Sequence, residues 1–444
     1  MKKTFAIVLS YFLWAIGAFA QGGAPWTLQR CIDYALENNL EIRRKMLSRE
    51  TKKIDVNDYR WAFTPSISLG SSVSIASGRV LDHTTYEFLH NSMVENTSSS
   101  LSGSMSLFSG LRKVYALRRA KLSLLEEAAS LESLKYDIRK NVTAAFLSLL
   151  CAESDLESAR QTRRLIEVQL ERIQLLLDAG KVTESDILLA RSQHFAAESD
   201  CATAEGTVQS ARLDLCQLLE ISDYENFEII GEDTVPQYLE TLPASFQESV
   251  VWRPEYRKAA LSVDIARQEV NIARSALFPT LSLSAGYGSS FSSARMKAVQ
   301  NEDGTFRYEA YPFLSQYLDN RNSNISLSLS IPIFTGMSTR NGIRRKRLAL
   351  QDAEYAMASI EKALIKEYLQ AGIDCRSAYK RYLTAERQFE YANEAERQIR
   401  ERYFFGSADF NMWNTAVTEL AKARYALSAA KYTFIFKLKV LEMF

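Results

Sequence analysis

Two periodicities alternate along the chain, and the alternation is written twice. After Pro65, apolar and hydroxyl residues alternate as Ser66-Ile67-Ser68-Leu69-Gly70-Ser71-Ser72-Val73-Ser74-Ile75, and after Pro279 as Leu281-Ser282-Leu283-Ser284-Ala285-Gly286-Tyr287. Beyond a polar stretch each is followed by another such run, Leu101-Ser102-Gly103-Ser104-Met105-Ser106-Leu107 and Ile325-Ser326-Leu327-Ser328-Leu329-Ser330-Ile331. Period two with one apolar and one hydroxyl face predicts half-buried strands. Four strands in two hairpins are therefore expected, with polar loops at about residues 79–96 and 293–321.

Between and after the strands the period changes to that of a helix. Both second strands end in the same turn, Phe108-Ser109-Gly110 and Phe334-Thr335-Gly336, 226 residues apart, and the next landmark glycines, Gly180 and Gly406, are again 226 apart. Each half thus sets its second glycine 70 positions after its turn glycine, without insertion, which implies a length requirement. As helix, that stretch spans about 105 Å. Leu117, Leu124, Leu131, Ile138, Ala145 and Ala152 recur at every seventh position, with Ala120 and Leu134 between them, as a helix packed along one seam requires. Residues 184–220 predict a returning helix of about 55 Å, residues 254–278 a second short helix, and residues 27–60 a helix opened by Thr27 as N-cap. The two short helices together match one long one. The division expected is a leader at 1–20, a first repeat at 21–220, a connecting segment at 221–253 carrying Pro236 and Pro243, and a second repeat at 254–444.

Composition agrees with long helices and few turns. Gly is 17 and Pro 8 of 444 residues, well under the roughly 7% and 5% of ordinary chains. No proline lies between Pro65 and Pro236 or after Pro332, so the helices are free of a breaker that costs about 3 kcal/mol. Met1-Lys2-Lys3, an apolar stretch and Ala18-Phe19-Ala20 before Gln21 have the charged start, short core and small-residue exit of a signal peptide. No later stretch holds 18 apolar residues, so any membrane crossing by the mature chain must use strands.

Charge and chemistry remove other classes. With Lys2 and Lys3 gone, 52 of the 54 basic groups face 53 acidic ones, which argues against nucleic acid as a partner. The five cysteines, Cys31, Cys151, Cys201, Cys216 and Cys375, form no C-x-x-C pair and read as small buried helix residues rather than as a zinc site or disulfide scaffold. No metalloprotease, phosphate-loop or nucleophile-elbow motif is present. The three histidines, His83, His90 and His194, do not make a site. No enzyme, metal or cofactor is expected.

Four strands cannot close a membrane barrel, since such barrels begin at about eight, and an open sheet in lipid would leave edges unsatisfied. If the strands cross a membrane the chain must oligomerise, with apolar residues toward lipid and Ser and Gly toward a watery interior. The competing reading is a soluble helical protein with a small packed sheet. Against it stand helices about 105 Å long, which need many neighbours to bury their stripes.

The leader, Trp26-Thr27-Leu28 at the first helix, the two strand pairs, Leu107-Phe108-Ser109-Gly110, Ile333-Phe334-Thr335-Gly336 and the two equal hairpins together resemble the TolC-like outer-membrane efflux factor family over essentially the whole mature chain. Ala179-Gly180-Lys181-Val182-Thr183-Glu184-Ser185-Asp186-Ile187-Leu188-Leu189-Ala190-Arg191 is similar to that family's helix-tip signature, with a second copy at Phe405-Gly406-Ser407-Ala408-Asp409-Phe410. The second copy departs in its aromatics Tyr403, Phe404, Phe405 and Trp413. The resemblance implies a mainly α fold with a small β part. In it, long α-helical hairpins form a periplasmic α-barrel continuous with a transmembrane β-barrel, which a homotrimer with four strands per chain completes. It also implies residence in the outer membrane of a Gram-negative bacterium, contact with outer-membrane lipid, and docking to a periplasmic adaptor and an inner-membrane pump.

Three groups of residues are the candidates for function. Gly180 and Gly406 can take the left-handed conformation that ends a helix, and Glu184, Asp186 and Asp409 follow where carboxylates favour a helix start; they read as caps, as an acidic constriction or docking tip, or as both. Phe108, Gly110, Phe334 and Gly336 mark the strand-to-helix turns. Arg118, Arg119 and Lys121 recur as Arg344, Arg345 and Arg347, beside Arg112, Lys113, Arg340 and Lys346, and read as a headgroup-contacting collar or as a solvated helix face. The function expected is a passive exit duct in a tripartite efflux system. A type I protein secretion duct and a non-channel periplasmic coiled-coil scaffold are the alternatives.

Overall fold

The computed structural model describes residues 26–81, 88–231, 235–236 and 250–444. The leader expected at 1–20, His83 and much of the 221–253 segment lie outside the described residues, as does the His90 side chain. In chain order the elements are α1 (Leu28–Asn38), α2 (Leu40–Trp61), β1 (Ser66–Leu81), β2 (Phe88–Ser109), α3 (Arg112–Asp178), α4 (Glu184–Leu219), α5 (Pro254–Ser275), β3 (Thr280–Ser292), β4 (Met296–Gln300), β5 (Phe306–Ala310), α6 (Phe313–Asp319), β6 (Asn322–Ser330), α7 (Ser338–Phe404) and α8 (Phe410–Glu442). The long helices α3 and α7 have 67 residues each and begin 226 residues apart. Among the described residues no helix is long and apolar enough to cross a membrane.

The chain divides into two compact units. The first comprises residues 1–47, 129–256 and 359–444 and is helical. Its core joins Cys31, Ile42, Val142, Leu149, Leu215 and Leu219 to the heptad residues Leu131, Ile138 and Ala152. All five cysteines are free and four are buried; burial pushes the Cys31 thiol up to about 12 and the Cys216 thiol to about 11, so neither is a reactive thiolate. The helix expected over 27–60 opens as predicted, with Thr27 Oγ1 accepting from the Arg30 N–H at 3.3 Å, but it is broken at Asn39, whose ψ of 130° is extended. The Asn39 side-chain Oδ1 accepts from the Glu41 N–H at 2.9 Å while its Nδ2 donates to Leu218 O at 3.3 Å. An Asn that caps a new helix and ties it to α4 outweighs the continuous pattern around it.

The second unit comprises residues 48–128 and 257–358 and holds a four-stranded sheet in the order β1-β2-β3-β6, antiparallel throughout. All four predicted strands are present. The loops are not as expected. The first hairpin continues to Leu81 and resumes at Phe88, so the span 79–96 is largely strand; its Val80 and Leu81 pair with Leu89 and Phe88. The span 293–321 contains a separate hairpin, β4 with β5, and the helix α6.

Candidate functional site

The sheet is the first functional surface, and its register makes it two-faced. One face is built from Ser66, Ser68, Gly70 and Ser72 on β1, Ser98, Ser100, Ser102 and Ser104 on β2, Ser284, Gly286 and Gly288 on β3, and Asn322, Asn324 and Ser326 on β6, all linked across the strands. Ser66–Ser104, Ser68–Ser102, Ser72–Ser98 and Ser284–Ser326 hydroxyl pairs at 3.0, 2.8, 2.9 and 2.7 Å bridge neighbouring strands on this face. None of these positions is charged, so the wall offers water hydrogen bonds without a fixed charge. The other face presents Ile67, Leu69, Val73, Ile325, Leu327 and Leu329, each more than 60% exposed. Apolar area left in water on this scale is unfavourable by about 25 cal/mol per Å² and marks a surface that meets something apolar.

Below the sheet, Gly110 and Gly336 turn each hairpin into its long helix with φ of +61° and +57°, followed by Leu111 and Met337 at +65° each. The helix starts in this unit are held by a polar clamp that sequence reasoning missed. Arg119 donates through Nη1 to Glu269 Oε1 at 2.5 Å and through Nη2 to the Tyr59 hydroxyl at 2.7 Å, and Lys346 Nζ lies 2.9 Å from Glu269 Oε2. One carboxylate on α5 thus gathers α3 and α7, and Arg119 extends the clamp to α2. Of the expected basic collar, Arg119 is committed inward to this clamp. Arg118, Lys121, Arg344, Arg345 and Arg347 are exposed, as a solvated or headgroup-facing surface requires. Nothing local in the sequence around Glu269 signals its partners, which are 150 and 77 residues away.

Burial pushes the Glu269 carboxyl up, but hydrogen bonds from Arg119 and Lys346 outweigh it and hold the group below its ordinary 4.5. A depressed carboxylate stabilises the fold above its unfolded value and loses that contribution as pH falls through the folded value. Acid should therefore loosen this unit below about pH 4.5, and Glu269→Gln should flatten that part of a thermal-stability profile measured from about pH 7 to about pH 3. An unchanged acid limb in Glu269→Gln would show that the clamp carries no such linkage.

The hairpin tips, in the first unit, are the second functional surface. Gly180 and Gly406 sit at φ of +68° and +74°. Each closes its long helix in the same way: the Lys181 and Ser407 N–H groups donate to Leu176 O and Arg402 O at 2.8 Å, while Gly180 and Gly406 donate to Leu177 O and Tyr403 O. This is a Schellman stop, which needs a residue at positive φ. The returning helices start differently. Asp186 Oδ2 accepts from the Thr183 N–H at 2.9 Å and from its hydroxyl at 2.8 Å, which holds the Asp186 carboxyl below its usual range. In the second copy Asp409 is itself the N-cap, its Oδ1 accepting from the Met412 N–H at 2.7 Å. Glu184 is exposed in the first turn of α4.

Three of the four aromatics that set the second tip apart, Tyr403, Phe404 and Trp413, form one cluster. Trp413 is buried, its ring 4.9 Å from Tyr403 and 5.9 Å from Phe404, and its Nε1–H donates to the buried Glu396 Oε1 at 3.0 Å. Arg172 of the first hairpin lies over Phe404 at 4.1 Å and Tyr403 at 5.1 Å, and Phe410 packs on the first hairpin's Ile173, Ile187 and Ala190. The two tips are thus fastened together through Arg172 and Phe410, while Phe405 stands 87% exposed. Glu396 and Arg172 carry no recognisable motif and were not among the sequence candidates. Among the described residues no cluster of His, Cys, Asp or Glu could hold a metal ion; His194 lies on α4 beside Phe195.

Known proteins share this organisation. The chain is 23% identical to the outer membrane protein TolC of Escherichia coli K12, over 98% of this chain and 84% of that protein. It is 26% identical to the alkaline protease secretion protein AprF of Pseudomonas aeruginosa over 48% of this chain and 41% of that protein. Its fold is that of the CmeC outer membrane channel of Campylobacter jejuni, with a TM-score of 0.78 at 15% identity over 94% of this chain and 84% of that one. The model of the family described as outer membrane efflux protein matches residues 31–219 and 246–435, most of each half, and the chain belongs to that family.

Proposed function

We propose that this chain is the outer-membrane channel component of a tripartite efflux system, working as a passive exit duct. Three copies, each giving four strands, form a twelve-stranded barrel in the outer membrane, and the helical hairpins form a periplasmic tunnel. The observation that carries this reading is the sheet. β1 and β6 are its two edge strands, one face is uncharged and hydroxyl-lined, and the other is apolar and exposed. An even number of antiparallel strands lets β6 of one copy pair antiparallel with β1 of the next, which removes edges that lipid cannot satisfy. Lipid on the apolar face and water on the hydroxyl face are the two solvents that such alternation fits.

The chain itself makes and breaks no bond in this account; transport is driven by an inner-membrane pump, reached through a periplasmic adaptor. Gly180, Glu184, Asp186, Gly406 and Asp409 form the end of the tunnel at which the adaptor docks. The two repeats, 21–220 and 254–444, are joined in sequence by the 221–253 segment, and the exposed arginines of the basic collar lie at the inner leaflet. A second reading, a duct for secreted protein, is favoured by the likeness to AprF and differs in pump and cargo, not in the wall. Copurification with an adaptor and either class of pump separates the two. A periplasmic scaffold would leave the chain out of outer-membrane fractions altogether.

The wall is tested by single cysteines. Ser328→Cys should react with a water-soluble, membrane-impermeant maleimide entering the lumen, and Leu327→Cys should react only with a lipid-soluble one. Reversed labelling would put the wrong face in water and end the barrel reading.

A further inference from the structure

The span 293–321 reads from sequence as a polar loop, yet the structure lays part of it on the apolar face of the sheet. Pairing of β3 with β6 ends at Gly288 and Asn322, while β3 runs on to Ser292. The backbone edge left open there is taken by α6. Gln316, fully buried, accepts from the Ser292 N–H at 2.5 Å and donates to Ser292 O at 3.1 Å, and Asn320 donates to Ser290 O at 2.7 Å. Ser289 lies on the apolar face, in line with Tyr287 and Ala285; it is buried, and its hydroxyl donates to Tyr317 O. Phe313 packs on Phe291 of the same face at 4.9 Å and on Tyr317 at 5.4 Å.

We propose that α6 is a membrane-interface anchor, a short helix seated at the outer rim of the apolar face with Phe313, Leu314, Tyr317 and Leu318 directed into the outer leaflet. The proposal rests on the reading of that face as lipid-facing. At about 100° per residue these four side chains occupy one arc of about 140°. Ser315 and Asp319 fall outside it, and Gln316 turns to the strand edge. Phe313, Leu314 and Leu318 are 50%, 67% and 47% exposed, so α6 uses only part of its apolar arc against the sheet.

The height of α6 identifies what covers the rest. From Thr280, where β3 begins, to Ser289 is nine residues, about 30 Å along a strand at about 3.3 Å per residue. With the strand tilt of about 40° usual in membrane barrels, that is about 23 Å along the barrel axis, against an apolar band about 25 Å tall. α6 therefore lies where the hydrocarbon ends and headgroups begin, the level at which aromatic side chains collect. At the other end of the sheet the exposed Trp61 and Phe278 mark the opposite boundary. A helix with an apolar arc at this level, continuous with a lipid-facing surface, takes lipid as its partner.

The test uses the full chain reconstituted in phosphatidylcholine vesicles, with the native cysteines changed to alanine. An environment-sensitive fluorophore is attached at Leu314→Cys, with Leu318→Cys as a second reading of the same arc and Leu327→Cys as a control on the barrel. Nitroxide lipids labelled high on the acyl chain should quench positions 314 and 318 more strongly than lipids labelled near the methyl end, and both probes should be shielded from aqueous iodide. Quenching at 327 with none at 314 or 318 would overturn the anchor and leave the barrel standing. No quenching at any of the three would remove the lipid-facing reading and the anchor with it.

Discussion

Alanine at Gly110 is expected to cost about 2–5 kcal/mol of stability, and alanine at its repeat partner Gly336 only about 1–2 kcal/mol. Both glycines hold positive φ, where a Cβ meets the following carbonyl at a cost of roughly 1–2 kcal/mol. Only Gly110 has a neighbour in the way. A Cβ there would lie 2.5 Å from Ser275 O and 2.7 Å from Phe278 Cβ, whereas at Gly336 nothing lies within 4 Å. Forcing α5 away from the turn adds the cost of overpacking, about 1–3 kcal/mol. Helical circular dichroism during denaturant unfolding in detergent checks the difference. Equal losses at the two positions would mean that the close approach of α5 to the first turn contributes nothing.

Trp413→Ala should loosen the second hairpin tip by about 3–5 kcal/mol, the cost of emptying a buried aromatic site. The ring packs at a tilt against Tyr403 and Phe404, and its loss strips the buried Glu396 of a 3.0 Å donor. Arg400, 3.7 Å away, is the partner that stays with it. Trp413→Phe separates the two contributions. It keeps most of the packing but loses a hydrogen bond to a charged group, worth about 1.5–3 kcal/mol. Amide exchange at the end of α7 and the start of α8 should quicken in both variants, more in the alanine one. The start of α4, where Ile187 holds the place that Trp413 takes in the second repeat, should change less. Uniform exchange across both tips would show that the aromatic cluster does not hold the second tip locally.

The legible parts of this fold are those set by short-range pattern. Strands with a hydroxyl face, a heptad seam and glycines at matching positions each rest on residues within a turn or two, so the 226-residue register appears directly in α3 and α7 and in the positive φ of Gly110, Gly180, Gly336 and Gly406. The aromatics at the second tip were visible as a departure from the repeat, although their partner Arg172 was not. What escaped depends on residues far apart in sequence. The break at Asn39 is fixed partly by Leu218, and the inward turn of Arg119 by Glu269. Phe313–Asp319 is too short to show a period, and its place on the sheet is decided by Gln316 reaching an edge that β6 leaves open. The collar reading changed for the same reason, since one of its arginines belongs to a clamp.

Electron microscopy of the detergent-extracted protein from outer-membrane fractions tests the central claim most directly. Helices of 67 residues are about 100 Å long, so hollow, threefold cylinders at least that long are expected. Single chains, or solid particles recovered from the soluble periplasmic fraction, would contradict it.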